Sequence, residues 1–393
     1  MRILHVIPQF PYIDDQTVIG GHASPLFTLA KRQVESGHEV TILSYVQGRA
    51  GAIKFRPGLT IVSIFPQAKT STMSFGLRFL SGAIGWARQH RDDFDVAHVH
   101  SGFADYFLVS RRIMRTTGLA TVHSLYCPIP ELGNRVNWPI VRAGLRRCAR
   151  SVDGLTAISN HTATSVLKYG IDRDVPIVPP ALDLEKFRPA RNGEISQLRR
   201  GLGLDDQEVV ILFVGNAKPQ KNLSGVLHAF RELRDRMDTA RLVVTTELAA
   251  ASTDENLARL KQEMAELKLE RDVIQFGIID NMPELLRAAD ILVAPFLDSF
   301  GPSDYFMAVL EAMASGKPAI VSAVGGMPEV IHGDVGRLVD PFNTPELSDA
   351  LIELAEAPAL RVAMGARARD VCEARFSVET ISNEFDSLYQ RIA

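Results

Sequence analysis

Apolar positions along this chain gather in short continuous runs, and between the runs hydrophobic residues recur at helical spacing. The runs at 2–7, 38–43, 59–65, 95–100, 120–123, 154–158 and 175–178 read as strands of one sheet. A second series at 209–215, 241–246, 273–277, 291–294 and 319–321 repeats the pattern. Helical spacing fills the gaps. One helix carries Leu26, Leu29, Ala30 and Val34 and stops at Gly37; others cover 74–89, 103–115, 135–150, 161–169, 223–234, 253–269 and 282–289. Strands alternating with helices predict an α/β chain of two Rossmann-like domains, 1–185 and 190–376, with a last amphipathic helix at 377–393. Residues 179–189, rich in proline, connect the halves.

The stretch from 294 to 329 organises the second half. The run at 291–294 ends in Pro295, and a loop rich in Gly, Ser and Asp leads to a short apolar helix around residues 310–314. Gly316 and Pro318 stop that helix, and the run at 319–321 leads to Gly325 and Gly326. This is a βαβ unit whose loops lie at the carboxyl edge of the sheet, where such folds bind ligands. Glu311 is a carboxylate inside an otherwise apolar helix, and a charge there needs a partner.

Composition narrows the class. The chain has 393 residues, 46% hydrophobic and 23% charged, with a net charge of −3, which argues against a nucleic-acid binder. The balance is uneven: 20 basic against 14 acidic residues through position 185, and 23 against 32 beyond it. A basic first half suits an anionic acceptor or a lipid surface, as well as plain solvation. Arginines at 135, 142, 146, 147 and 150 interleave with apolar residues, which fits an exposed helix face or a membrane-surface helix. Cys127, Cys148 and Cys372 form no disulfide framework, and no metal-ligand cluster is visible. The apolar run at the amino terminus is too short for a signal peptide, so a cytoplasmic setting, extending to the inner membrane face, is expected.

Glycines after a first strand, here Gly20 and Gly21, suit a phosphate, but G-x-G-x-x-G is absent, which disfavours a dehydrogenase. His98 and His100 share one strand face. His123 is read at the carboxyl end of its strand.

The sequence Glu311-Ala312-Met313-Ala314-Ser315-Gly316-Lys317-Pro318 resembles the E-A-M/L-A-x-G-x-P motif of the retaining glycosyltransferases of family 4. Phe213–Asn222, with Gly215 and Lys221, resembles that family's V-G-R-x-x-x-x-K-G, and Asp183, Phe187 and Pro189 match its interdomain connection. The resemblance implies the GT-B architecture, two Rossmann-like domains facing across a cleft, with the last helix crossing back to the first. It implies transfer of a sugar, with retention, from a nucleotide-sugar (most often UDP-linked) to a hydroxyl acceptor in polysaccharide or glycolipid assembly, without a metal or other cofactor. It implies that Glu311 binds the ribose, that Lys221 clamps the diphosphate with backbone N–H groups near Met307 and Ala308, and that Gly20 and Gly21 line the donor phosphates. It places the nucleotide base near Gly277 and Ile278, and His123 near the donor sugar. Two positions depart from the pattern. Asn216 replaces the arginine, leaving Lys218 as an extra cation, and Ser303 replaces the first acidic residue, with Asp304 beside it. These departures keep a catalytically silent partner subunit open; a GT-B epimerase lacks the extra carboxylate pair it would need.

Overall fold

The structure is a computed structural model. It describes the chain apart from residues 9–22, 47–49, 66–71, 103–105, 130–137, 246–253, 278–280 and 300–302, and apart from the side chains of 72–75 and 254. The chain divides into two compact units. The first holds Met1–Ala181 with Ser303, Asp304 and Phe376–Ala393; the second holds Leu182–Ser299 and Tyr305–Arg375.

In the first unit the strands are β1 (Arg2–Val6), β2 (Glu39–Ser44), β3 (Gly51–Arg56), β4 (Leu59–Ser63), β5 (Val96–Ser101), β6 (Ala120–Leu125) and β7 (Gly154–Ala157). They lie in the order β3-β4-β2-β1-β5-β6-β7, and all neighbours run parallel except the pair β3–β4. Its helices are α1 (Ala23–Glu35), α2 (Thr72–Gln89), α3 (Phe107–Thr117), α4 (Pro139–Ser151) and α5 (Asn160–Lys168). Parallel strands buried on both faces explain the unbroken apolar runs. β3 escaped the hydrophobic pattern because it is an exposed edge strand with Lys54 and Arg56 in it. The run at 175–178 is corrected from a strand to a single bridge between Ala157 and Ile177. Pro176, Pro179 and Pro180 have no N–H to give a ladder.

The second unit comprises α6 (Glu194–Gly201), β8 (Val209–Val214), α7 (Leu223–Arg234), β9 (Ala240–Thr245), α8 (Asp254–Glu266), β10 (Val273–Phe276) and α9 (Met282–Ala288). It continues with β11 (Ile291–Ala294), α10 (Met307–Ala314), β12 (Ala319–Ser322), β13 (Gly336–Val339), α11 (Thr344–Glu356) and α12 (Pro358–Arg375). Its parallel sheet runs β10-β9-β8-β11-β12-β13. β13 was not read from the sequence because Gly336 and Arg337 fill half of its four positions.

The last helix, α13 (Val378–Ile392), belongs to the first unit. Its Ile381, Phe385, Leu388 and Tyr389 pack with Ile3, Val96 and Val122. The Tyr389 hydroxyl lies 2.6 Å from His98 Nδ1. Arginines of α4 are largely engaged in structure: Arg142 and Arg146 donate to Tyr169 O, and Arg150 donates to Gly170 O. They satisfy orphan carbonyls at the end of α5 and complement its dipole.

Candidate functional site

The second sheet fixes where a ligand can sit. From β8 the chain winds outward to β9 and β10, and from β11 it winds the other way to β12 and β13. β8 and β11 are paired neighbours, so the topological switch point lies between them. Lys221 follows β8, and Glu311 lies in the helix that follows β11.

After β8, Gly215 is needed for close approach: a Cβ there would lie 3.2 Å from the Phe213 ring and 3.6 Å from Lys221 Cγ. Asn216 makes a turn, its Oδ1 accepting from the Lys218 backbone N at 3.2 Å, and Lys218 is exposed. Asn222 takes the left-handed region at φ 54°, which asparagine tolerates in place of the family's glycine. Its Oδ1 caps α7 by accepting from Gly225 N, while its Nδ2 donates to Pro295 O and Pro341 O. Lys221 therefore stands between two fixed points. Its Nζ lies 3.7 Å from the Phe296 ring centroid and 5.8 Å from that of Phe306. Burial lowers its pKa to about 8, partly offset by Asp298 and reinforced by Lys218. Among the described residues it forms no ion pair.

Met307 and Ala308 open α10, which no side chain caps among the described residues; Val309 N and Leu310 N donate to Phe306 O, so the N–H groups of Met307 and Ala308 are the ones placed for an anion. Glu311 is half-buried between Leu310 and Ala312, both fully buried. Burial raises its pKa to about 7, with Lys186 pulling the other way. A carboxylate with this environment accepts hydrogen bonds from a diol readily. Gly277 follows β10 at the same edge. Ile278, Gly20 and Gly21 lie outside the described residues.

Two first-unit assignments change. β6 continues past His123 to Leu125 because His100 pairs with Ser124 and Ser101 with Leu125, so His123 sits within the strand, not at its end. The ring is fully buried against Phe107, Nδ1 lies 2.6 Å from Ser110 Oγ, and Nε2 has no partner among the described residues. Burial lowers its pKa to about 3. Asp304, adjacent to the family's acidic position, is fully buried in the first unit. Its Oδ2 accepts from Ser159 Oγ at 2.5 Å and from Thr162 Oγ1 at 3.2 Å, and both oxygens lie 3.1 Å from His161 Nδ1. Its backbone N donates to Tyr126 O at 2.7 Å. That carboxylate is occupied by the start of α5. Ser303 Oγ is buried without a partner among the described residues.

Three buried histidines lie together in the first sheet. His5, His98 and His100 are buried with potential ligand atoms within 4.8 Å of one another. All six ring nitrogens have protein partners, however. His5 bonds His100 and Gln33, His98 bonds Tyr389 and Ser124, and His100 bonds Tyr126. Among the described residues no helix is long and apolar enough to cross a membrane. The sequence reading missed the Phe296–Phe306 pair and the cluster around Asp304, since neither has a local spacing signature.

Comparison with known proteins agrees with this layout. A family model described as Glycosyltransferase Family 4 matches residues 19–186, and one described as Glycosyl transferases group 1 matches residues 194–371. N-acetyl-alpha-D-glucosaminyl L-malate synthase of Bacillus anthracis is 25% identical, over 99% of this chain and 97% of its own length. A D-inositol 3-phosphate glycosyltransferase of Pseudarthrobacter chlorophenolicus is 35% identical, over 55% of this chain and 51% of its own. Among solved structures, sucrose-phosphate synthase of Thermosynechococcus elongatus superposes with a TM-score of 0.78 at 18% identity, covering 100% of this chain and 99% of that one. Anabaena HepE in complex with UDP gives 0.76 at 16% identity, with both chains fully covered. The likeness establishes the GT-B fold.

Proposed function

The chain belongs to the group 1 glycosyltransferases of family 4, and from that premise we propose that it transfers a sugar from a UDP-linked donor to a hydroxyl of an anionic acceptor, with retention and without a metal. The observation that carries the reading is the pair flanking the switch point, an ammonium without an ion-pair partner among the described residues at Lys221 and a poorly solvated carboxylate at Glu311. Glu311 takes the ribose diol. Lys221 and the first-turn N–H groups of α10 take the diphosphate, whose charge grows as the glycosidic bond breaks. In same-face transfer the departing phosphate oxygen receives the acceptor's proton, so no protein carboxylate is needed as a nucleophile.

The HepE complex supports UDP. An anionic acceptor is supported by the relatives named for L-malate and inositol 3-phosphate and by the basic balance of residues 1–185. Exposed Trp138 and Ile140, near Arg147, support work at an anionic membrane surface in glycolipid or polysaccharide assembly. Incubating the chain with UDP-glucose or UDP-N-acetylglucosamine and either L-malate or inositol 3-phosphate tests the reading. An α-linked product supports it, and a β-linked product overturns retention. A silent partner subunit is the second reading, favoured by Asn216 being used in a turn; it predicts nucleotide binding with no product.

A further inference from the structure

Position 303, where the resembled family carries an acid, is a serine, and the carboxylate beside it is already engaged. Asp304 accepts from Ser159 and Thr162 within the first unit. The carboxyl edge of the second sheet holds other acids. Among the described residues, Glu329 after β12 accepts from the Tyr305 hydroxyl at 3.2 Å, and Asp340 after β13 accepts from Phe342 N at 2.8 Å. Asp298, after β11, differs in that its loop is fixed against the loop that carries Lys221. Asn222 Nδ2 donates to Pro295 O at 3.1 Å, Ser322 Oγ donates to Phe296 O at 2.5 Å, and Leu297 N donates to Gln220 O at 2.9 Å. Three consecutive pinned residues thus hold position 298 beside Lys221, whose ammonium lies 3.7 Å from the Phe296 ring centroid. The Asp298 side chain is exposed, and its charge reaches that ammonium.

We propose that Asp298 is the specificity residue for the donor sugar, accepting hydrogen bonds from hydroxyls of the sugar that adjoins the diphosphate. This deepens the donor-site reading and rests on it. The sugar hangs from the distal phosphate, so a carboxylate beside the phosphate-binding ammonium faces its ring hydroxyls. A carboxylate holds such hydroxyls more strongly than a serine does. The pinned loop gives it a fixed geometry, which recognition of one hydroxyl pattern requires. The same charge repels a bare diphosphate, whose terminal phosphate is more negative than an esterified one. Asp298 therefore favours a nucleotide-sugar over the free nucleotide, which assists departure of the product.

The test is calorimetric titration of the full chain with UDP, UDP-glucose, UDP-galactose and UDP-N-acetylglucosamine, in the wild type, Asp298→Ala and Ser303→Ala. Asp298→Ala should weaken at least one UDP-sugar by about tenfold, while UDP binds as tightly as before or more tightly. Retained UDP binding also shows that the variant is folded. Among monodeoxy analogues of that sugar, one should bind the wild type and Asp298→Ala alike, which marks the hydroxyl that is read. Ser303→Ala should leave the preference between UDP-sugar and UDP unchanged. Equal weakening of UDP and the UDP-sugars in Asp298→Ala would make the carboxylate a support of Lys221 or of the loop and overturns the proposal. UDP-sugar binding untouched by Asp298→Ala, or a preference lost in Ser303→Ala alone, overturns it too. Binding of UDP without any of the three sugars by the wild type overturns the Asp298 role and leaves the phosphate site standing. Failure of UDP and all three UDP-sugars to bind overturns the donor-site reading, and the Asp298 role with it.

Discussion

The Ser159 hydroxyl donates to Asp304 Oδ2 at 2.5 Å, which places a fully buried carboxylate at the amino-terminal end of α5. Ser159 caps that helix through Thr162 N, and the carboxylate sits where the dipole favours negative charge. Residue 304 lies between β11 and α10 in the chain and belongs to the first unit.

Asp304→Ala should therefore destabilise the protein more than it alters chemistry. It leaves Ser159, Thr162 and His161 without their acceptor, at a cost of about 2–4 kcal/mol. Urea denaturation should show the loss, with the UDP affinity of the folded fraction changed less than threefold. Lost turnover at unchanged stability would instead make Asp304 a substrate ligand.

Glu311 gives a pH dependence of opposite kinds for binding and stability. Only the ionised carboxylate accepts from both ribose hydroxyls, so UDP affinity should fall as pH drops below about 7. Glu311→Gln should weaken binding by about 1–3 kcal/mol and flatten that dependence. Its folded pKa lies above the unfolded value, so its stabilising contribution is complete at low pH and is lost as pH rises through about 7. Glu311→Gln should accordingly raise stability at pH 8 by on the order of 2 kcal/mol. Thermal melts at pH 5 and pH 8 check the sign.

The buried histidines act the other way. Burial lowers His5 to about 4, His123 to about 3, and His98 well below its ordinary value of 6.5. Groups with depressed folded pKa values contribute stability above the unfolded value, and lose it as pH falls. At pH 5 each costs about 2 kcal/mol. The melting temperature should drop steeply between pH 6.5 and 4, and His123→Leu should reduce that slope.

Exhaustive dialysis against a chelator should leave transfer unchanged, because the charges assigned to the diphosphate are Lys221 and helix N–H groups. Loss of activity restored by a divalent cation would contradict the metal-free proposal.

Sheet membership was legible wherever strands are buried on both faces, as at β8 and β11. It was not legible for β3 or β13, where exposure or glycine breaks the apolar run. Glu311 stood out as a charge in an apolar helix, and Lys221 through its motif. The partners of those residues were hidden. Phe296 and Phe306 lie far from Lys221 in sequence, and an aromatic residue before a helix reads as ordinary core. His123 misled because the strand end was set by pairing with β5, which local composition does not encode. Asn222, a departure in the pattern, proved a conservative solution for left-handed backbone.

The most direct measurement is turnover of UDP-sugars by the purified chain without acceptor, with Glu311→Gln and Lys221→Ala in parallel. The wild type should slowly hydrolyse one donor, the first variant should bind donor more weakly, and the second should lose more turnover. No binding of any nucleotide-sugar, or equal behaviour of all three proteins, would contradict the assignment of the switch point as the donor site.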